Sequence, residues 1–285
     1  MPSSQAGCIS VDGRLFDPHE ATVSALDAGF LLGDGLFESL RVCDGMSYLL
    51  DRHLARLLSA AEELEFEGMP SAEGLAEQVR RTLGRAALAD AYVRVTVTRG
   101  SGATALAAPS GAPTVVIAAL PAPARVVGGI EATLLGPSSE RGAKAKSTSR
   151  QQAVMARREV VKRGAGEGLY VSEEGYVLEG VSSNVFVVRD GLMLTPLTED
   201  CLPGITRGRV LELACDAGIP AVEAPLESAT LMGAAEVFVT NAVQGLRRVA
   251  KIDGTEVGAA EPEGVFATLL TLYESDRRAM AGAVS

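Results

Sequence analysis

The spacing of apolar residues switches from two to about 3.6 and back to two within the first 120 residues, and few folds accommodate that order. Residues 7–50 read as short strands joined by turns. An apolar run at 8–11 is followed by the Asp12-Gly13 turn, then by Leu36 to Val42 and by Ser47 to Leu50 after a second Asp-Gly at 44–45. From Asp51 onward Leu54, Leu57, Leu58, Ala61 and Leu64 fall on one helical face, and Leu75, Val79 and Leu83 mark a second amphipathic helix. Alternation returns in AYVRVTVTR at 91–99 and in TVVIAA at 114–119. A strand meander interrupted by two helices and closed by two more strands is an α+β arrangement, because the helices must bury their apolar stripes on one face of the sheet.

The stretch GSGATALAAPSGAP at 100–113 has no periodicity and reads as a loop, and Pro121-Ala122-Pro123 reads as a semi-rigid linker. The sequence therefore predicts an N-terminal domain over 1–120, a linker over 121–126 and a C-terminal domain over 127–285. In that second part the pattern predicts a strand at 130–135, a helix over 148–163, two hairpin-like strand pairs over 168–195 and a helix over 205–217 stopped by Gly218. A strand at 236–240 and a last amphipathic helix over 263–280 follow. There is no internal repeat. A length of 285 residues gives two such domains ample core.

Composition excludes several classes of partner. Hydrophobic residues at 47% with 22% charged suit a soluble globular chain, and a net charge of −10 does not supply the clustered cations that phosphate-backbone binding needs. An anionic small ligand stays open, since it needs only one or two arginines and some backbone amides. Four scattered cysteines (Cys8, Cys43, Cys201, Cys215) and two histidines (His19, His53) form no metal-like spacing. With no basic-then-apolar start and no apolar run of membrane length, the reading is a reduced, cytoplasmic protein that binds neither nucleic acid nor membrane.

Four places carry groups suited to chemistry. Lys146, in AKAKSTSR just ahead of a predicted helix, is an amine that could form a Schiff base if its pKa were lowered; composition alone favours a solvated surface lysine instead, and Lys144 lies two residues away. Glu179, in YVLEGVSSNVFVV, lies between two apolar strand-like runs where a carboxylate needs a cationic or protonated partner; read singly it is also a hairpin-tip glutamate. Leu202-Pro203-Gly204-Ile205-Thr206-Arg207 opens a helix with amide N–H groups beside a threonine hydroxyl, which is either a phosphate cradle or a plain helix start. Arg56 on the first helix offers a fixed positive charge.

Taken in order, the segments DAGFLLGDGLFESLRV (27–42), LLDRHLARLLSAAEEL (49–64), KSTSR (146–150), GYVLEGVSSNVFVV (175–188), LPGITRGRVLELA (202–214) and EVFVTNAVQGL (236–246) resemble the class IV aminotransferases. Glu179 follows Lys146 by 33 residues, which matches that family. The resemblance implies the two-domain fold type IV architecture, D-amino acid aminotransferase-like and mixed α+β / α/β, with pyridoxal 5'-phosphate (PLP) as cofactor. It implies that Lys146 carries PLP and moves the proton and that Glu179 pairs with the pyridine nitrogen. Arg56, Ile205, Thr206 and Asn241 would hold the phosphate. Phe37, Ser39, Arg99 and Ala242 would face the substrate, an amino donor exchanging with a 2-oxo acid, and the protein would be a homodimer with no metal.

Departures bear on substrate. Thr98-Arg99-Gly100 lacks the Arg-x-His element that follows it in D-amino acid aminotransferases. Branched-chain aminotransferases usually have glycine at Ser39, tyrosine at Gln151 and threonine at Ala242. A hydroxyl residue at 39, Arg150 and Thr-Asn-Ala at 240–242 match 4-amino-4-deoxychorismate lyase, which eliminates pyruvate to give 4-aminobenzoate. The expectation is a transaminase, with that lyase as the alternative.

Overall fold

A computed structural model describes residues 6–102, 106, 111–137, 145–258 and 264–282. Lys144 and residues 103–105 and 107–110 of the 100–113 loop lie outside the described residues. The chain divides into two compact units, one of residues 1–124, 145–150 and 280–285, the other of 125–144 and 151–279.

In the first unit the elements run β1 (Cys8–Val11), β2 (Arg14–Phe16), α1 (Ala28–Leu32), β3 (Gly35–Cys43), β4 (Met46–Ser47), α2 (Leu50–Glu63), α3 (Ala72–Ala86), β5 (Ala91–Thr98) and β6 (Thr114–Pro121). The strands form one antiparallel sheet in the order β2-β1-β6-β5-β3-β4. Alternation along β5 buries Ala91, Val93, Val95 and Val97 completely. Each of these valines contributes roughly 1.5–3 kcal/mol of burial. The stripe His53, Leu54, Leu57, Ala60 and Ala61 is the buried side of α2, and Leu75, Val79 and Thr82 that of α3. Ser47 to Leu50 does not form the expected strand: only Met46 and Ser47 pair with β3, because Leu49 turns into the left-handed region (φ 54°) and starts α2.

The second unit contains β7 (Ile130–Leu135), α4 (Gln151–Lys162), β8 (Glu167–Val171), β9 (Tyr176–Gly180), β10 (Asn184–Arg189), β11 (Leu192–Thr195), α5 (Ile205–Asp216), β12 (Ala221–Glu223), β13 (Leu226–Glu227), α6 (Ser228–Met232), β14 (Glu236–Asn241), β15 (Gly245–Ile252), β16 (Thr255–Glu256) and most of α7 (Val265–Gly282). Its sheet has the order β12-β11-β10-β14-β15-β7-β8-β9-β13, with β16 on β15. The pairs β15–β7, β7–β8 and β11–β12 are parallel and the others antiparallel. β10 and β14 carry the unbroken apolar runs Val185–Val188 and Val237–Val239 because both faces are covered there. Val185, Val187, Val237 and Val239 enter one core, while Phe186 stacks on Phe238 at 4.9 Å and Phe238 meets Phe266 of α7 at 5.6 Å. Sequence reading placed the lysine segment in the C-terminal domain. The structure groups residues 145–150 with the first unit, since their backbone bonds to the start of β3.

Candidate active site

Lys146 is positioned by two glycines. The Phe37 N–H donates to the Lys146 carbonyl (2.8 Å) and the Thr148 N–H to the Gly35 carbonyl (2.8 Å), so the lysine segment lies along the first residues of β3 like a short added strand. The Thr148 hydroxyl donates to the Gly33 carbonyl (2.7 Å), as does that of Ser149 (3.1 Å). Side chains at 33 and 35 would block this. A Cβ on Gly35 would sit 2.9 Å from both Thr148 Oγ1 and the Val97 carbonyl, and Gly33 has φ 69° with Ser149 Oγ 2.5 Å from its would-be Cβ. The predicted helix over 148–163 accordingly begins only at Gln151.

The side chain of Lys146 lies on the Phe37 ring, with Nζ 4.6 Å from the centroid. The Arg94 guanidinium lies 3.7 Å and that of Arg150 5.9 Å from the same centroid. Phe37 pairs with Thr96 and Ser39 with Arg94 across β3 and β5, and the Ser39 hydroxyl shares a hydrogen bond with the Tyr92 hydroxyl (3.0 Å). One face of the sheet thus gathers an amine, two guanidiniums, a ring and two hydroxyls. Arg94 and Tyr92 were not picked out from sequence. Only the register of β5 on β3 brings them here, although their place at alternate positions of an otherwise apolar strand was a hint.

Arg99, expected at the substrate, is engaged elsewhere. Its Nε donates to Asp34 (2.8 Å), its Nη1 and Nη2 donate to the carbonyls of Glu65 and Leu64 (2.9 Å each), and it covers the Phe66 ring. These contacts tie the end of α2 to the Gly33-Asp34-Gly35 turn, and a planar fork so occupied has little left for a ligand.

Arg56 lies against a carboxylate. Its Nε and Nη2 donate to the two oxygens of Glu38 (2.7 and 2.8 Å), and His53 Nδ1 shares a 2.7 Å hydrogen bond with Glu38 Oε2. Glu38 is 1% exposed. Burial alone would raise its pKa, but the hydrogen bonds from His53 and Arg56 and their charge hold it down at about 2. Sequence reading singled out neither Glu38 nor His53 as part of the site. A glutamate inside an apolar strand run, followed by a helix with His and Arg three residues apart, was the available sign.

In the second unit, Glu179 and the approach to α5 come together. The Leu202 N–H donates to Glu179 Oε2 (3.0 Å), and Asn184 Nδ2 donates to the Leu202 carbonyl (2.8 Å). Gly204 is the N-cap residue of α5 and supplies no side chain to its first N–H groups. A Cβ there would fall 1.9 Å from Asn184 Oδ1. Thr206 is buried near the Tyr273 hydroxyl, whose pKa burial pushes up to about 12. Cys201 is likewise pushed up by burial, to about 11, so it stays a thiol. The Asn241 side chain bends back, its Oδ1 accepting the N–H groups of Val243 and Gln244, so in this structure it shapes the β14–β15 turn; Ala242 lies in that turn.

Each unit carries groups of the kind that PLP needs: the first an amine, the second a carboxylate, an uncapped helix start beside a hydroxyl and a glycine whose side chain would close the approach. A family model described as "Amino-transferase class IV" matches residues 35–252. The chain belongs to the class IV aminotransferases. A putative branched-chain-amino-acid aminotransferase from Methanocaldococcus jannaschii is 34% identical over 86% of this chain and 88% of its own. An aminodeoxychorismate lyase from Bacillus subtilis is 29% identical over 95% of each. Among solved structures, the PLP-bound form of a hypothetical aminotransferase from Mycobacterium tuberculosis superposes with a TM-score of 0.83 at 27% identity, covering 94% of this chain and 99% of its own. This class IV aminotransferase is therefore a PLP-dependent enzyme of the fold type IV architecture, and transamination between amino acids and 2-oxo acids is the activity its relatives support. Among the described residues no helix is long and apolar enough to cross a membrane.

Proposed function

We propose that this enzyme transfers the amino group of an α-amino acid to a 2-oxo acid, using Lys146 to hold PLP and move the proton, and Arg94 with Arg150 to hold the substrate carboxylate. The observation that carries this reading is the Phe37 ring, with Lys146 Nζ and both guanidiniums within 5.9 Å of its centroid. An amino acid carries its carboxylate one carbon away from its nitrogen, so an amine and two guanidiniums gathered around one ring suit its two ends. Bound PLP supplies the electron sink for the pair left on the substrate α-carbon.

In this proposal Lys146 takes the α-proton and returns it to a neighbouring carbon, which its flexible stem allows without backbone movement. Glu179, fixed by the Leu202 N–H, keeps the pyridine nitrogen protonated. Arg56 supplies positive charge to the phosphate, joined by the N–H groups of Ile205 and Thr206 and the Thr206 hydroxyl. Asn241 contributes through the backbone of its turn. Phe37, Ser39 and Ala242 line the substrate side, and Arg94 takes the part expected of Arg99. The family resemblance adds a cytoplasmic homodimer.

A lyase reading is favoured by one specific arrangement, the Ser39 hydroxyl hydrogen-bonded to Tyr92 with Arg150 approaching the neighbouring Phe37 ring. A single-turnover panel separates the two. The PLP-loaded enzyme is mixed in turn with D-amino acids, L-amino acids, an (R)-amine and aminodeoxychorismate while the visible cofactor band and pyruvate are followed. Loss of the band with an amino acid, and no pyruvate from aminodeoxychorismate, is the expected result; alanine is read by the band alone, since its own transamination gives pyruvate. Pyruvate released from aminodeoxychorismate alone would replace the transaminase reading with the lyase.

A further inference from the structure

The second unit holds a cavity of about 590 Å³ bordered by linker residues 125–129, by β14 and β15 and by the first half of α7. Its walls are largely apolar, with Val126, Leu246, Phe266 and Leu270 facing in. Five charged residues border it, and the side chains of four of them bond within the fold, although the buried Arg247 Nε has no partner among the described residues. The Glu236 oxygens accept the N–H groups of Val265 (2.8 Å) and Phe266 (2.6 Å) at the start of α7. Glu274 accepts from Arg125 (2.6 Å) and Arg277 (3.0 Å), and Arg247 donates to buried Glu167 (3.0 Å). The Arg248 side chain alone has no hydrogen bond or ion pair among the described residues. A Cβ on Gly129 would lie 3.0 Å from Arg248 Nη2, so the glycine lets the guanidinium rest against the linker.

We propose that this cavity is a second binding site, for a small amphiphilic monocarboxylate whose apolar tail lies against Leu246, Phe266 and Leu270 and whose carboxylate pairs with Arg248. The charge balance selects the ligand class. One uncompensated cation beside apolar walls suits a single negative charge; a neutral ligand leaves Arg248 unpaired, and a dianion brings a charge with no partner. Phosphate is disfavoured because the α7 amides that would cradle it already bond Glu236. The volume falls within the usual range for small-molecule sites, roughly 300–1,000 Å³.

The test is calorimetric titration of the PLP-loaded enzyme with octanoate and, separately, with octylammonium. One octanoate per chain is expected at this site and no octylammonium. Arg248→Gln should weaken octanoate about tenfold to a hundredfold, the range for a charge-assisted hydrogen bond, while Arg248→Lys keeps most of the affinity. Leu270→Trp should fill the cavity and abolish binding, and amino-group transfer without octanoate should be unchanged in the Arg248 variants. If Arg248→Gln binds octanoate as tightly as wild type, or octylammonium binds equally well, the assignment is wrong. Should Leu270→Trp not fold, the Gln and Lys variants at 248 decide the matter between them.

Discussion

Replacing Glu38 by glutamine removes one buried charge and keeps nearly the same shape, so it isolates what that charge does. In the folded protein the carboxyl is held at about 2 against an ordinary value of 4.5. At about 1.4 kcal/mol per pH unit, that interval corresponds to roughly 3 kcal/mol of stability at neutral pH. Breaking one partner of a buried ion pair typically costs about 3–5 kcal/mol, and a glutamine oxygen still accepts one bond from Arg56, so a loss of about 2–4 kcal/mol is expected. The pH dependence follows from the depressed pKa. The contribution is fully present above about 4.5 and is lost as pH falls through about 2, when the wild-type carboxyl takes up its proton. Urea unfolding of the cofactor-free forms, followed by circular dichroism, avoids the added stability that PLP binding brings. Wild type and Glu38→Gln should differ at pH 7 and converge from pH 4.5 downward. A gap under about 1 kcal/mol at pH 7, or one that stays constant to pH 3, would refute the reasoning.

Lys146→Ala should leave a folded protein that shows neither the visible cofactor band nor turnover, checked by absorbance after reconstitution with PLP. An unchanged band would move the assignment to another lysine. Glu179→Gln should retain PLP but slow the half-reaction by about 10²-fold or more, because a neutral amide does not hold the ring nitrogen protonated; single-turnover absorbance alongside cofactor content measures both. Gly204→Ala places a Cβ where Asn184 Oδ1 now sits, so it should cost about 1–3 kcal/mol and speed PLP loss on dialysis. A variant that melts and retains PLP like wild type would show that the α5 entrance tolerates the methyl group.

The elements legible in the sequence were those whose periodicity reflects one-sided burial. β5, with every second residue buried, and α2, with its stripe from His53 to Ala61, could be read directly. Those set by local backbone chemistry or by distant pairing could not. α1 is a five-residue helix whose start is fixed by the Asp27 side chain accepting the Gly29 N–H (2.8 Å), and within DAGFLLG it looks like a lead into a strand. β15 carries Arg247, Arg248 and Lys251, which hide its alternation. Of the groups proposed for the site, Lys146, Glu179 and the α5 start were visible as residue types in a family-like order. The use of Arg99 as a clamp, and the presence of Arg94 on the ring that Lys146 also meets, depend on register and on carbonyls more than thirty residues away.

The way the lysine segment lies along β3 separates two kinds of change open to this enzyme. The anchor is main chain to main chain, through Phe37 N–H and Gly35 carbonyl, whereas Ser39, Tyr92 and Arg94 act through side chains. Substitutions at those three positions alter the surface a substrate meets and leave the hydrogen bonds that locate Lys146 in place. Libraries randomised at 39, 92 and 94 should therefore yield many variants that keep the cofactor and differ in what they accept, while randomising 33 and 35 should yield mostly inactive protein. Substrate preference in such a scaffold can drift step by step without passing through a dead enzyme.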